Sequence, residues 1–130
     1  MVATAMGSPR PPDPHAAYRT ITEEDFQRQV VAAIRWIQPN ALVYHTLRSE
    51  HSEKGFPDIV GVILDMRDRP HPAGGLYRQI AWELKAGRKG AATTSEQAAW
   101  IYLLGATGAD ARVLYPWDMD TVVNVLTGKQ

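Results

Sequence analysis

Apolar residues first recur at helical spacing at Phe26, Val30, Ala33, Ile34 and Ile37, which marks one face of an amphipathic helix. Thr22 stands where an N-cap belongs, and Glu23, Glu24 and Asp25 suit the positive end of a helix dipole. Pro39 and Asn40 end the segment. Downstream the period shortens to two. Leu42 to Arg48 reads as a strand of β-branched and aromatic residues. Asp58 to Leu64 is almost continuously apolar, as expected of a strand covered on both faces. Leu76 to Ala86 alternates, with Ile80, Trp82 and Leu84 on one face and Gln79, Ala81, Glu83 and Lys85 on the other. Thr94-Ser95-Glu96-Gln97 has the capping-box pattern and opens a second helix. Its buried side is assigned to Ile101 and Leu104, with Ala98, Trp100 and Leu103 nearby, and Gly105 and Gly108 mark its end. Ala111 to Tyr115 forms a short fourth strand, Pro116 breaks it, and Asp118 to Leu126 makes a closing helix.

The order helix, three strands, helix, strand, helix predicts an α/β fold: a single compact domain with a mixed central sheet flanked by helices. The segment between the third and fourth strands is long enough for a right-handed parallel crossover. The chain of 130 residues suffices for one hydrophobic core. Residues 1–19 are rich in Pro, Ala and Gly without a period, so an extended tail is expected there, its Arg10 and Arg19 able to touch a phosphate backbone, and a folded domain over 20–130. No apolar run approaches the ~18 residues a membrane span needs, and no secretory leader is visible. The absence of cysteine excludes disulfides and thiolate metal sites and fits a reducing compartment, so the cytoplasm is the expected location. Fourteen basic residues balance fourteen acidic ones. Any contact with nucleic acid must therefore come from local charge.

Two positions break their surroundings. Asp58 opens an apolar strand directly after Gly55-Phe56-Pro57, where proline stiffens the chain that delivers it. Glu83 and Lys85 are charged residues inside a strand and, being two apart, share a face. If the two strands are neighbours, the three side chains meet at one end of the sheet. Two carboxylates are a fitting ligand set for Mg²⁺, a hard cation that keeps waters and takes substrate phosphate, and the main-chain carbonyl of Leu84 offers a further oxygen. Bound there, the metal would acidify a water and polarise a phosphate, while Lys85 would position that water or stabilise developing charge. Arg48 and Lys54 before Asp58, and Arg88 and Lys89 after the third strand, flank the cleft and are the candidate phosphate contacts. Gly87 and Gly90 let that second loop approach a backbone closely. His45 and His51 lack a zinc pattern. Trp36, Trp82, Trp100 and Trp117 are scattered and read mainly as core or interface, not as a base-stacking platform.

Gly55-Phe56-Pro57-Asp58, then Glu83-Leu84-Lys85, then Ser95-Glu96-Gln97 resembles the PD-(D/E)xK nuclease superfamily, and within it the stand-alone VRR-NUC domains common in phage genomes and similar to Holliday-junction resolvases. The resemblance covers roughly residues 20 to 126. It implies a restriction-endonuclease-like α-β-β-β-α-β core, Mg²⁺-dependent hydrolysis of branched DNA with Mn²⁺ able to substitute, a homodimer, and the cytoplasm of a bacterium or phage-infected cell. It also implies a metal-assisting glutamate on the first helix, best matched by Glu23 with Glu24 one residue away. It gives Gln97 a supporting role in the active site, while the same side chain fits the capping box. A nickase or flap nuclease, or a DNA-binding module without catalysis, are the rival readings.

Overall fold

The structure, a computed structural model, describes residues 11–46, 53–68 and 76–129. Thr22 accepts the Asp25 amide and starts helix α1 (Glu23–Ile37), supplying one of the helix's otherwise unpaired amide donors with an acceptor. Strands β1 (Leu42–His45), β2 (Ile59–Leu64) and β3 (Tyr77–Leu84) follow. Then come helix α2 (Ser95–Ala106), strand β4 (Asp110–Leu114), a 3-10 turn (Pro116–Asp118) and helix α3 (Met119–Thr127). The four strands lie in chain order, β1 antiparallel to β2, β2 antiparallel to β3, and β3 parallel to β4. This is the predicted α/β architecture with a mixed sheet, and α2 is the crossover between the parallel pair.

Helices α1 and α3 cover one face of the sheet. Phe26, Val30, Val31 and Ile34 of α1 and Val122, Val125 and Leu126 of α3 bury against Ile59, Ile63, Ile80, Trp82, Leu84 and Leu114. Trp82 is fully buried, and its indole N–H donates to Asp110 at 3.0 Å. Arg78 and Arg112 pair with the same carboxylate, so neither the indole nor the acid is left without a partner. Two glutamines tie α1 to the sheet. Gln38 exchanges hydrogen bonds with the backbone of Leu64 and donates to the Leu126 carbonyl. Gln27 donates to the Thr46 carbonyl at 2.7 Å and to the Asp58 carbonyl at 3.4 Å.

The opposite face of the sheet departs from expectation. Strand β2 is covered on one side only, with Val62 and Leu64 exposed, because α2 packs on β3 and β4 and leaves β1 and β2 bare. Helix α2 has no fully buried residue. Trp100, Ile101 and Leu104 are half-buried, whereas Ala98 and Leu103, read as part of its buried side, are exposed. Apolar residues encircle this helix, so the pattern alone could not choose its inner face. Order also begins before Thr20: Ala16–Tyr18 form a 3-10 turn, and Arg19 reaches across to the Gly87 carbonyl at 3.0 Å. Strand β1 ends at His45, and the remainder of the strand read to Arg48 runs into residues outside those described.

Candidate active site

The register of the sheet sets the site. Ile59 pairs with Trp82, so one step further Asp58 stands opposite Glu83, and the alternation of side chains puts both on the same face. Asp58 Oδ2 accepts the Leu84 amide at 2.7 Å, a bond that locks the carboxylate against the end of β3. His45 pairs with Ile59 and so shares the opposite face with Trp82.

Glu83 and Lys85 are almost sealed, 3% and 5% exposed. Gln97, at the third position of α2, joins them. Its Nε2 donates to Glu83 Oε2 at 2.8 Å, while its Oε1 accepts from Lys85 Nζ at 2.7 Å and from the Thr94 amide at 2.9 Å. Gln97 thus completes the capping box and bridges Lys85 and Glu83 at once. The amide oxygen has two lone pairs and serves both the cap and the lysine, leaving the nitrogen for the glutamate. Lys85 Nζ also lies 3.5 Å from Glu83 Oε2. Glu83 Oε1 is buried and has no hydrogen-bond partner. Burial, then the neighbouring charge of Asp58, push the Glu83 carboxyl up to about 8, against the pull of Lys85. Asp58 is likewise raised, chiefly by burial, with Glu23 adding to the rise and the Leu84 amide opposing it.

Beside this pair a cavity of about 620 Å³ is lined by Asp58, Leu84, Gln27, Glu23, Arg19 and Arg88, among others. Both glutamates at the start of α1 reach it, but Glu24 is paired with Arg28 at 2.6 Å. Glu23 is the acid whose charge bears on Asp58. Among the described residues no group of three or more His, Asp or Glu side chains already forms a cation cage. The donors present are two facing carboxylates, one with a buried oxygen lacking a partner, and a further acid on the cavity wall. That set fits a small hard cation that keeps several waters.

The expected phosphate contacts divide. Arg88 lines the cavity. Lys54 is turned to Glu96 at 3.4 Å, since Gly55, at a φ of +81°, presses its loop onto the first turn of α2. Lys89 is exposed beyond the cavity, and Arg10 and Arg48 lie outside the described residues. The close approach foreseen at Gly87 is made by the chain itself: a Cβ there would stand 1.8 Å from the Tyr18 carbonyl oxygen. The sequence does not single out Gln27, and Arg19, expected on a flexible tail, is instead fixed against the Gly87 carbonyl. Gln27 was detectable as a polar residue beside Phe26 on the inward side of α1, whereas nothing in the pattern around Arg19 announces its contact with Gly87. Comparisons with protein-family models, with curated proteins and with solved structures gave no match.

Proposed function

We propose that the chain is a metal-dependent endodeoxyribonuclease acting on branched DNA, in the manner of a Holliday-junction resolvase. The observation that carries the reading is the meeting of Asp58 and Glu83 beside Lys85 at one end of the sheet, with Glu83 Oε1 buried and without a partner. Two raised carboxylates side by side are unfavourable for folding unless a cation or a proton lies with them. Asp58, Glu83 and the Leu84 carbonyl would hold Mg²⁺, or Mn²⁺ in its place, with Glu23 reaching it from the cavity wall. When bound, the metal supplies Lewis acidity, acidifying a water and neutralising charge on the phosphate. Lys85 donates from its ammonium group to the attacking water or to the phosphate oxygens as charge develops. Gln97 holds Lys85 and Glu83 in register, and Arg88 and Arg19 attract the phosphate backbone along the cavity.

The homodimer belongs to the same proposal. Leu42, Tyr44, Val62, Leu64 and Tyr77 are large exposed apolar residues on neighbouring positions of one sheet face. At roughly 100 Å² each they supply more than half of the ~800 Å² per partner of an ordinary interface. No helix among the described residues is long and apolar enough to cross a membrane, and the cytoplasm is the compartment we assign.

The test is cleavage of a labelled four-way junction, splayed fork, nicked duplex and linear duplex by the wild type and Glu83→Ala, in Mg²⁺, Mn²⁺ and EDTA. Paired symmetric cuts in the junction, absent in the variant and in EDTA, are expected. Cutting of one fork strand alone would replace the resolvase with a nickase or flap nuclease. Binding without metal-dependent cutting would leave a DNA-binding module.

A further inference from the structure

At the cavity end of the sheet the chain builds an aromatic stack. Tyr115 directly follows β4, and its ring lies 4.8 Å from that of Trp117 at an interplanar angle of 3°. The imidazole of His15 is stacked on the same indole at 3.9 Å and 16°, with Tyr18 edge-on at 6.1 Å. The segment that brings His15 there is fastened by polar contacts. The Asp13 carboxylate accepts the His15 amide and two bonds from Arg19, and Arg19 donates on to the Gly87 carbonyl. Arg19 therefore belongs to two places. Its guanidinium lies 5.9 Å from the Trp117 ring centre, and it lines the cavity shared with Asp58, Leu84 and Arg88.

We propose that Trp117 is a stacking platform for an unpaired nucleobase of single-stranded DNA, and that His15 occupies it when no DNA is bound. The proposal rests on the reading of the chain as acting on DNA. It adds to that reading a site for a nucleotide left unpaired at a branch point.

Three features support it. A planar nitrogen heterocycle stacked on an indole has the chemistry of a base on an aromatic side chain, a contact tolerant of sequence because every base has a π-face. A cation beside that indole adds attraction for the phosphate linking one base to the next. The three groups then run in order: the carboxylates at the phosphate to be cut, Arg19 and Arg88 at its neighbour, and Trp117 at the base beyond. The outer position is filled by a half-buried histidine on a short segment held chiefly by surface-type polar contacts, which single-stranded DNA can displace. A duplex cannot use the platform without opening a base pair.

The test is made in EDTA, where cleavage plays no part. Anisotropy of a labelled single-stranded oligonucleotide and of a duplex of equal length is read for the wild type, His15→Ala and Trp117→Ala. Trp117→Ala is expected to weaken single-strand binding about tenfold, and His15→Ala to strengthen it several-fold, with duplex binding unchanged in both. Equal losses on single strand and duplex, or a His15→Ala variant no tighter than wild type, would overturn the proposal. Should Trp117→Ala fail to fold by circular dichroism, Trp117→Phe keeps a ring in place. Single-stranded DNA should quench the intrinsic tryptophan fluorescence of the wild type, and the quench should shrink in Trp117→Phe; an equal quench in both would overturn the proposal. Metal-dependent cutting with no tryptophan-dependent single-strand binding would sink the platform and leave the nuclease. Tryptophan-dependent binding with no cutting under any metal would do the reverse.

Discussion

Replacing Glu83 by glutamine should stabilise the metal-free protein at alkaline pH while abolishing its activity. In the unfolded chain Glu83 ionises near its ordinary value of 4.5, and in the folded protein at about 8. Between those values the folded state holds a proton that the unfolded state has released. Stability therefore falls as pH rises from about 4.5 to about 8, and stays at the lower level above. At about 1.4 kcal/mol per pH unit the full displacement corresponds to at most ~5 kcal/mol. Water entry and local relaxation around an ionised buried pair reduce this, so we expect about 2 kcal/mol. Glutamine mimics the protonated acid: it can accept the Gln97 amide as Glu83 Oε2 does and present an N–H toward Asp58. Urea melts of wild type and Glu83→Gln in EDTA should coincide near pH 5 and separate near pH 9, the variant being the more stable. On heating, the gap should be of order 8 °C for a domain this size. Added Mg²⁺ should raise the wild type alone. A wild type whose stability relative to the variant is flat or rising between about pH 6 and pH 9 would refute the electrostatic reasoning.

Gln97→Ala removes the side-chain half of the capping box and the bridge between Glu83 and Lys85 together. A loss of about 1–3 kcal/mol in unfolding free energy is expected from the partners taken from Glu83 and Lys85, with kcat falling at least about tenfold and KM little changed; a variant with wild-type kcat would remove Gln97 from the site. Gln27→Ala leaves the half-buried Thr46 carbonyl without its side-chain donor. It should cost about 1–3 kcal/mol in a denaturant melt and lower kcat by loosening Asp58. Leu64→Lys with Tyr77→Lys places like charges on the uncovered sheet face, where the two residues pair. Sedimentation should show a dimer becoming a monomer, and a wild type that is already monomeric at high concentration would end the dimer proposal.

Much of the fold was written in local signals. The spacing from Phe26 to Ile37, Pro39 after it, the Thr94–Gln97 box and the alternation around Trp82 each specify an element within its own dozen residues, and all appear where read. What failed needed knowledge of neighbours. Continuous apolar sequence in β2 suggests two covered faces, but cover depends on where α2 lies, and α2 is too uniformly apolar to say. The same limit applies to the site. Asp58, Glu83 and Lys85 could be marked as charges out of pattern, and β2–β3 register brings them together. Lys54 could not be seen to pair with Glu96, because that contact depends on how the Gly55 loop meets α2. Nor could Arg19 and His15, in a segment whose prolines suggested an unstructured tail, be seen to fold back onto Gly87 and Trp117.

In the proposed reaction Asp58 and Glu83 hold the metal with which the chain cuts DNA. The most direct test is Mn²⁺ binding, measured by calorimetry on the same wild-type, Asp58→Asn and Glu83→Gln samples that are then assayed for DNA cleavage. Each substitution should weaken binding at least about tenfold and lower cleavage in step, with both variants remaining folded. Cleavage that persists in a variant unable to bind Mn²⁺, or tight binding by a wild type that cuts no DNA, would contradict that role.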